Sequence, residues 1–263
     1  MQQARERFQA RGIGLAAVSY DSQAILRDFA ARQKITYPLL SDPDSAIIRK
    51  FRVLNDSAKG TAAGIPYPGF FFIAPGGVVR EKFFETNYAE RYTANNVIVR
   101  LFPELVEGQP GFVSLPHIQV RAIQSDETAG PGSRVTLGVE IKLPAGVHVY
   151  APGVRGYKAI SLVMEETAEI QTRAAVYPPA KILWLAAIRE RVPVYEGGFR
   201  ILQDVILGSA LGGGEKISIH GKLKYQACDE KTCYLPAEAP LQWLLEVKPL
   251  DLIRSPDSLQ RKK

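Results

Sequence analysis

Cysteine is among the scarcest residues in this chain. Only two of its 263 residues are cysteine, and none occurs before Cys228. Two are too few for a disulfide scaffold, and the long stretch without cysteine removes thiol chemistry from residues 1–227. Long apolar runs are also missing. The longest, such as 69–74 and 181–188, are core-sized, far short of the roughly 20 residues of a membrane-spanning helix. Basic clustering is absent as well. The net charge is +6, but the arginines from Arg5 to Arg52 alternate with acidic residues at helical spacing. A nucleic-acid surface gathers its basic residues on one face among stacking aromatics, so no nucleic-acid partner is expected. An apolar leader is lacking too: Met1 is followed by Gln-Gln-Ala-Arg-Glu-Arg-Phe, charged where a secretory signal is apolar. That leaves the cytoplasm, or a longer chain whose start lies upstream.

What is present falls into two halves of different periodicity. In the first, helical and strand-like segments alternate. Gln2–Arg11 reads as a helix closed by Gly12, and Ile13–Val18 as a short buried strand. Asp21-Ser22 opens a helix with Ile25, Leu26, Phe29 and Ala30 on one face. Asp42 and Asp44 cap another carrying Ile47, Ile48 and Phe51. Phe70–Ile73 and Val78–Phe84 flank Pro75-Gly76-Gly77 as a hairpin, and a helix is expected over 89–105. This is an α/β pattern.

Residues 107–112, with Gly108-Gln109-Pro110-Gly111, are the expected linker. Beyond them the period becomes two. Val135, Leu137, Val139, Ile141 and Leu143 alternate with other residues, as do Ile217, Ile219, Leu223 and Tyr225, and Leu241, Trp243, Leu245 and Val247. Such runs between Gly/Pro turns predict a β-sandwich over 113–250. Residues 251–263 read as a disordered tail. Trp184 and Trp243 are expected in packing roles.

The cysteines are separated by Asp229-Glu230-Lys231-Thr232, a polar turn between alternating strands. Three readings stand. A structural staple closing so short a loop contributes only about 2 kcal/mol, against about 4.7 for a 100-residue loop. Zinc needs four N/S ligands, and only His117, His148 and His220 are available without a second paired half-site. An exposed small-loop disulfide is readily attacked by a partner thiolate. The redox reading is therefore preferred, with the non-catalytic module held by a structural disulfide as its rival. His148 and Tyr150 read first as a strand pair. No cofactor and no metal are called for.

Two resemblances sharpen this. Ala10-Arg-Gly-Ile-Gly-Leu-Ala-Ala-Val-Ser-Tyr-Asp-Ser22, Tyr37-Pro-Leu-Leu-Ser-Asp-Pro-Asp44 and Gly64-Ile-Pro-Tyr-Pro-Gly-Phe-Phe-Phe-Ile-Ala-Pro-Gly-Gly-Val-Val79 resemble the redoxin family, the alkyl hydroperoxide reductase / thiol-specific antioxidant peroxiredoxins. The resemblance covers residues 1–106 and implies a thioredoxin-like α/β fold, with Pro66 or Pro68 in the region of the family's cis-proline. That family's attacking cysteine opens the helix whose tail Gln2–Arg11 resembles. Residues 1–106 therefore lack the first strand and the start of the active-site helix, and peroxidase activity is not expected of this chain. A peroxiredoxin fragment whose cysteine lies upstream of Met1 is a further reading. With a central strand missing, the strands at Ile13–Val18 and Phe70–Ile73 are expected to pair directly.

Ala145-Gly-Val-His-Val-Tyr-Ala-Pro-Gly153, Tyr195-Glu-Gly-Gly-Phe199 and Tyr225-Gln-Ala-Cys-Asp-Glu-Lys-Thr-Cys-Tyr-Leu-Pro236 resemble the N-terminal domain of the DsbD thiol:disulfide interchange family. This implies an immunoglobulin-like sandwich that presents Cys228 and Cys233 on a hairpin under a cap loop. The cap is placed at Leu183–Tyr195, with His148, Tyr150, Tyr195 and Tyr225 around the pair. It also implies a thioredoxin-fold redox partner and a periplasmic address.

Overall fold

The computed structural model describes residues 1–85, 90–106, 110–185, 189–250, 253 and 255–259. Part of the expected linker (107–109), the start of the helix expected over 89–105, the tip of the expected cap (186–188) and much of the expected tail lie outside the described residues. The chain divides into two compact units, Met1–Val97 with Leu250–Lys263, and Ile98–Pro249. No helix among the described residues is long and apolar enough to cross a membrane.

The first unit is α/β. Its helices are α1 (Arg5–Gln9), α2 (Gln23–Arg32) and α3 (Ala46–Lys50), with α4 (Ala94–Leu101) at the boundary. Its strands are β1 (Ala17–Ser19), β2 (Leu39–Ser41), β3 (Gly69–Ile73), β4 (Val79–Phe84) and β5 (Arg91–Tyr92). Ser22 Oγ accepts from the Ile25 amide and starts α2. Asp42 starts α3, its carboxylate accepting from the amides of Ile47 (3.1 Å) and Ile48 (2.9 Å). Gly76 and Gly77 both take positive φ in the β3–β4 turn, a conformation glycine adopts without steric cost.

β1 pairs with β2 in parallel and β3 with β4 antiparallel, as two separate two-stranded sheets. Direct pairing of β1 with β3 is thus corrected. Both instead line an apolar groove of about 600 Å³, into which Phe8, Val18, Leu40, Phe51, Phe70 and Ile73 project. Side chains of that bulk hold apart two strands that would have to approach to about 4.8 Å to share a ladder. Phe71 sits between Phe51 (4.9 Å) and Phe84 (4.8 Å), which anchors β3 on its own side of the groove. The bonds preceding Pro66 and Pro68 are trans, the ordinary state of an X–Pro bond.

The second unit is a β-sandwich. Its strands are β6 (Val113–Leu115), β7 (Ile118–Gln124), β8 (Thr128–Ala129), β9 (Ser133–Lys142), β10 (His148–Tyr150), β11 (Ser161–Met164), β12 (Ile170–Thr172), β13 (Lys181–Leu185), β14 (Glu190–Glu196), β15 (Gly198–Leu207), β16 (Lys216–Tyr225), β17 (Ala227–Cys228) and β18 (Ala237–Val247). One sheet runs β12-β15-β9-β7-β6 and a second β11-β16-β18-β8. Alternating residues from both form one core, with Leu137, Val139, Ile141, Val205, Leu223 and Leu245 buried in it. Trp243 fills its centre and donates through Nε1 to the carbonyls of Ile123 (2.9 Å) and Gly138 (3.2 Å), which removes the cost of burying the indole N–H. A Cβ at Gly138 would sit 2.7 Å from the Ile201 carbonyl, so that close approach of β9 and β15 requires glycine. Trp184, on β13, is exposed instead. A third sheet, β13-β14-β10-β17, carries Cys228 at the end of β17.

Candidate functional site: a cysteine pair on a short sheet

The three-residue strand β10 lies between β14 and β17. His148 is paired with Glu196 on one side and Cys228 on the other, and Tyr150 with Val194. Paired residues share a face, and neighbours along the strand alternate. Val149, Tyr195 and Ala227 therefore turn inward to the main core. Tyr150, Val192, Val194 and Cys228 form a second buried cluster on the opposite face, with Leu183, Leu185, Val154 and Tyr157 packed against it.

Cys228 and Cys233 are joined by a disulfide, with Cα atoms 4.0 Å apart. The two sulfurs differ in access. Cys228 is 0 % exposed, whereas Cys233, at the far side of the turn, is exposed. Asp229 organises that turn. Its Oδ1 accepts from the amides of Lys231 and Thr232, both at 2.7 Å, and its Oδ2 from the Tyr234 hydroxyl at 2.6 Å. The Tyr234 hydroxyl and the two amides hold the Asp229 carboxyl down to about 2, since each donor favours the ionised form. The same bond raises the Tyr234 phenol. Tyr234 in turn stacks on His117, ring centroids 3.6 Å apart.

Aromatic side chains close the other flank. The Tyr150 hydroxyl lies 3.8 Å from Cys233 Sγ. Its ring stacks on Tyr157 at 4.3 Å, and the Tyr157 hydroxyl donates to Glu190 Oε2 at 2.8 Å, tying the segment after β10 to the start of β14. Burial, and then the charge of Glu190, raise the Tyr150 phenol. Burial lowers the His148 imidazole, against the opposing pull of Glu196 and Asp229.

Of the residues named from sequence around the pair, the structure gathers His148 and Tyr150 on the cysteine face. Tyr195 and Tyr225 point into the sandwich core, where their hydroxyls donate to the carbonyls of Pro178 (2.9 Å) and Pro116 (3.1 Å). The stretch placed as a cap supplies Leu183, Leu185, Val192 and Val194 to the cysteine cluster. Sequence reasoning did not place the side chains of Tyr157, Glu190, His117 and Tyr234 beside the cysteine pair. Only Tyr234 carried a local signal, its place beside Cys233.

Comparison with known proteins matches the two halves separately. Residues 1–82 match the AhpC/TSA family. Residues 119–242 match the family described as thiol:disulfide interchange protein DsbD, N-terminal. The chain is thus similar to one family over its first part and to another over its second. Among curated proteins none matches. Among solved structures, the N-terminal periplasmic domain of ScsB from Proteus mirabilis is 17% identical at a TM-score of 0.38, the match covering 51% of this chain and 50% of that one. This chain thus spans about half the length of the ScsB structure. The reduced DsbD N-terminal domain of Neisseria meningitidis is 15% identical at a TM-score of 0.29, with 42% and 77% covered. The major pilin subunit BcpA of Bacillus cereus reaches 10% identity and a TM-score of 0.28, with 50% and 41% covered.

Proposed function

We propose that the second unit is a thiol–disulfide exchange domain that passes two electrons between Cys228/Cys233 and a thioredoxin-fold partner. The observation that carries this is the unequal exposure of two bonded sulfurs. A fully buried Cys228 and an exposed Cys233 make the bridge open to attack at one end only. Thiol–disulfide exchange requires such access, because a thiolate must approach the sulfur it attacks. Cys233 is the sulfur that forms the mixed disulfide, and Cys228 closes or reopens the internal bond. The match of residues 119–242 to an interchange family supports this reading. The immunoglobulin-like class of the sandwich, the linker at 107–112 and an oxidising, periplasm-like compartment belong to the same proposal. The first unit contains no cysteine; its part is that of a docking scaffold or client for the exchange domain.

Trapping with thioredoxin tests this. Cys228→Ala leaves the exposed thiol alone and should yield a stable disulfide-linked adduct with a thioredoxin variant that keeps only its attacking cysteine, activated as the nitrothiobenzoate mixed disulfide. Cys233→Ala should yield none. Adducts with neither variant, or only through Cys228, would favour a structural disulfide.

A further inference from the structure

The buried end of the pair poses a problem in proton transfer. Cys228 lies among Tyr150, Val192 and Val194, and apolar surroundings raise the pKa of a thiol. Cys228 is 0 % exposed, so an acceptor beside it is the nearest destination for its proton when the thiol reacts. Directly across the β10–β17 ladder is His148, and paired residues hold their Cβ atoms about 4.5–5.5 Å apart on one face. His148 is 4 % exposed, and its Nε2 has no hydrogen-bond partner among the described residues. A buried ring nitrogen left unpaired costs free energy and asks for an explanation. The ring stands edge-on to Tyr150, centroids 5.4 Å apart, and the Tyr150 hydroxyl reaches Cys233 Sγ. Both sulfurs thus have a ionisable neighbour on the same strand.

We propose that His148 is the base that takes the proton from Cys228 when the internal disulfide closes, and the acid that returns it when the disulfide opens. The proposal rests on the exchange reading above. In the reduced domain the Cys233 thiolate attacks the partner's disulfide, forming a Cys233–partner bond and releasing one partner thiolate. Cys228 then gives its proton to Nε2. Its electron pair forms the Cys228–Cys233 bond as the Cys233–partner bond breaks, and the pair from that bond leaves on the partner's second sulfur. Two electrons pass to the partner. The imidazolium proton goes to the departing thiolate or to solvent. Burial favours the neutral ring, against the pull of Glu196 and Asp229, and a neutral ring carries a nitrogen lone pair that can take a proton. The groups facing it are Glu196 from β14, which also binds Lys181 Nζ of β13 at 3.4 Å, Asp229 from the turn, and Tyr150 from its own strand.

Stopped-flow reaction of the reduced full chain with dithiobis-nitrobenzoate separates the two steps. The first equivalent of nitrothiobenzoate reports Cys233, and the second reports closure by Cys228. His148→Gln and His148→Phe should leave the first phase unchanged and slow the second by on the order of 100-fold at neutral pH, the range of a lost general base. The second phase should then climb about tenfold per pH unit, as expected when the thiol must ionise unaided, where the unmodified chain shows a plateau. A second phase unchanged in rate, or slowed without any change in its pH profile, would overturn the proposal. Should both variants fail to fold, the unmodified chain decides. Its second-phase pH profile must share its midpoint with the His148 ring titration by NMR, and a mismatch overturns the proposal. An absent first phase in the unmodified chain would defeat the exchange reading and this proposal with it.

Discussion

The two units solve the burial problem differently. In the sandwich, ten-residue strands such as β9, β15 and β16 keep register along their whole length, and every second side chain enters one continuous core. In the first unit the parallel ladder is three residues long, and β1 and β3 meet across an apolar groove rather than a hydrogen bond. Val18, Phe29, Leu40, Phe51 and Ile73 stay exposed there. Exposed apolar area contributes nothing to stability, at a loss of about 25 cal/mol per Å². The contrast shows what periodicity decides. Period-two runs of ten residues fix a sheet by themselves, whereas short strands in an α/β unit depend on what lies beside them.

That contrast can be broken in several places. The largest effect is expected from Trp243→Ala, which empties the centre of the sandwich and strands two carbonyls. Denaturant unfolding should show a loss of about 3–5 kcal/mol; less than about 1 kcal/mol would mean that the core has a different centre. Hydrogen exchange should find amides of β1 and β3 opening on the order of 100-fold faster than those of β9, β15 and β16. Equal protection would show the first unit to be as well packed as the sandwich. Removing the disulfide with Cys228→Ala/Cys233→Ala should cost the sandwich only about 2 kcal/mol, because the closed loop is so short. A loss beyond about 4 kcal/mol would favour the structural reading.

The smallest effect concerns pH. Asp229 has its pKa depressed to about 2, so the turn's hydrogen bonds favour the folded form fully above the ordinary carboxyl range and lose that effect as pH falls toward 2. NMR titration of the Asp229 carboxyl should give that low midpoint, and Tyr234→Phe should raise it, since the Tyr234 hydroxyl is the leading cause. An unmoved midpoint would leave the backbone amides as the whole explanation.

Much of the site was legible because it is local. The cysteine spacing, the polar turn and the flanking alternation all lie within about a dozen residues of each other, and the strand pattern of the sandwich follows from the same period-two rule. What was not legible is set by register between distant segments. His148 stands opposite Cys228 only because β10 pairs with a strand some 80 residues later. The Tyr157–Glu190 bond spans 33 residues. Tyr195 and Tyr225 look like site residues because they flank the right motifs, yet the alternation of faces sends both hydroxyls into the core. The groove escaped prediction for another reason: strand propensity says where a strand forms, and the bulk of Phe51, Phe70 and Phe8 decides which strands can meet.

The central claim, that Cys228 and Cys233 exchange rather than staple, meets its most direct test in a glutathione redox titration of the full chain followed by thiol alkylation. A single two-electron transition with a potential above about −300 mV is the predicted result. A bridge that remains oxidised below about −300 mV, the behaviour of a structural disulfide, would contradict it.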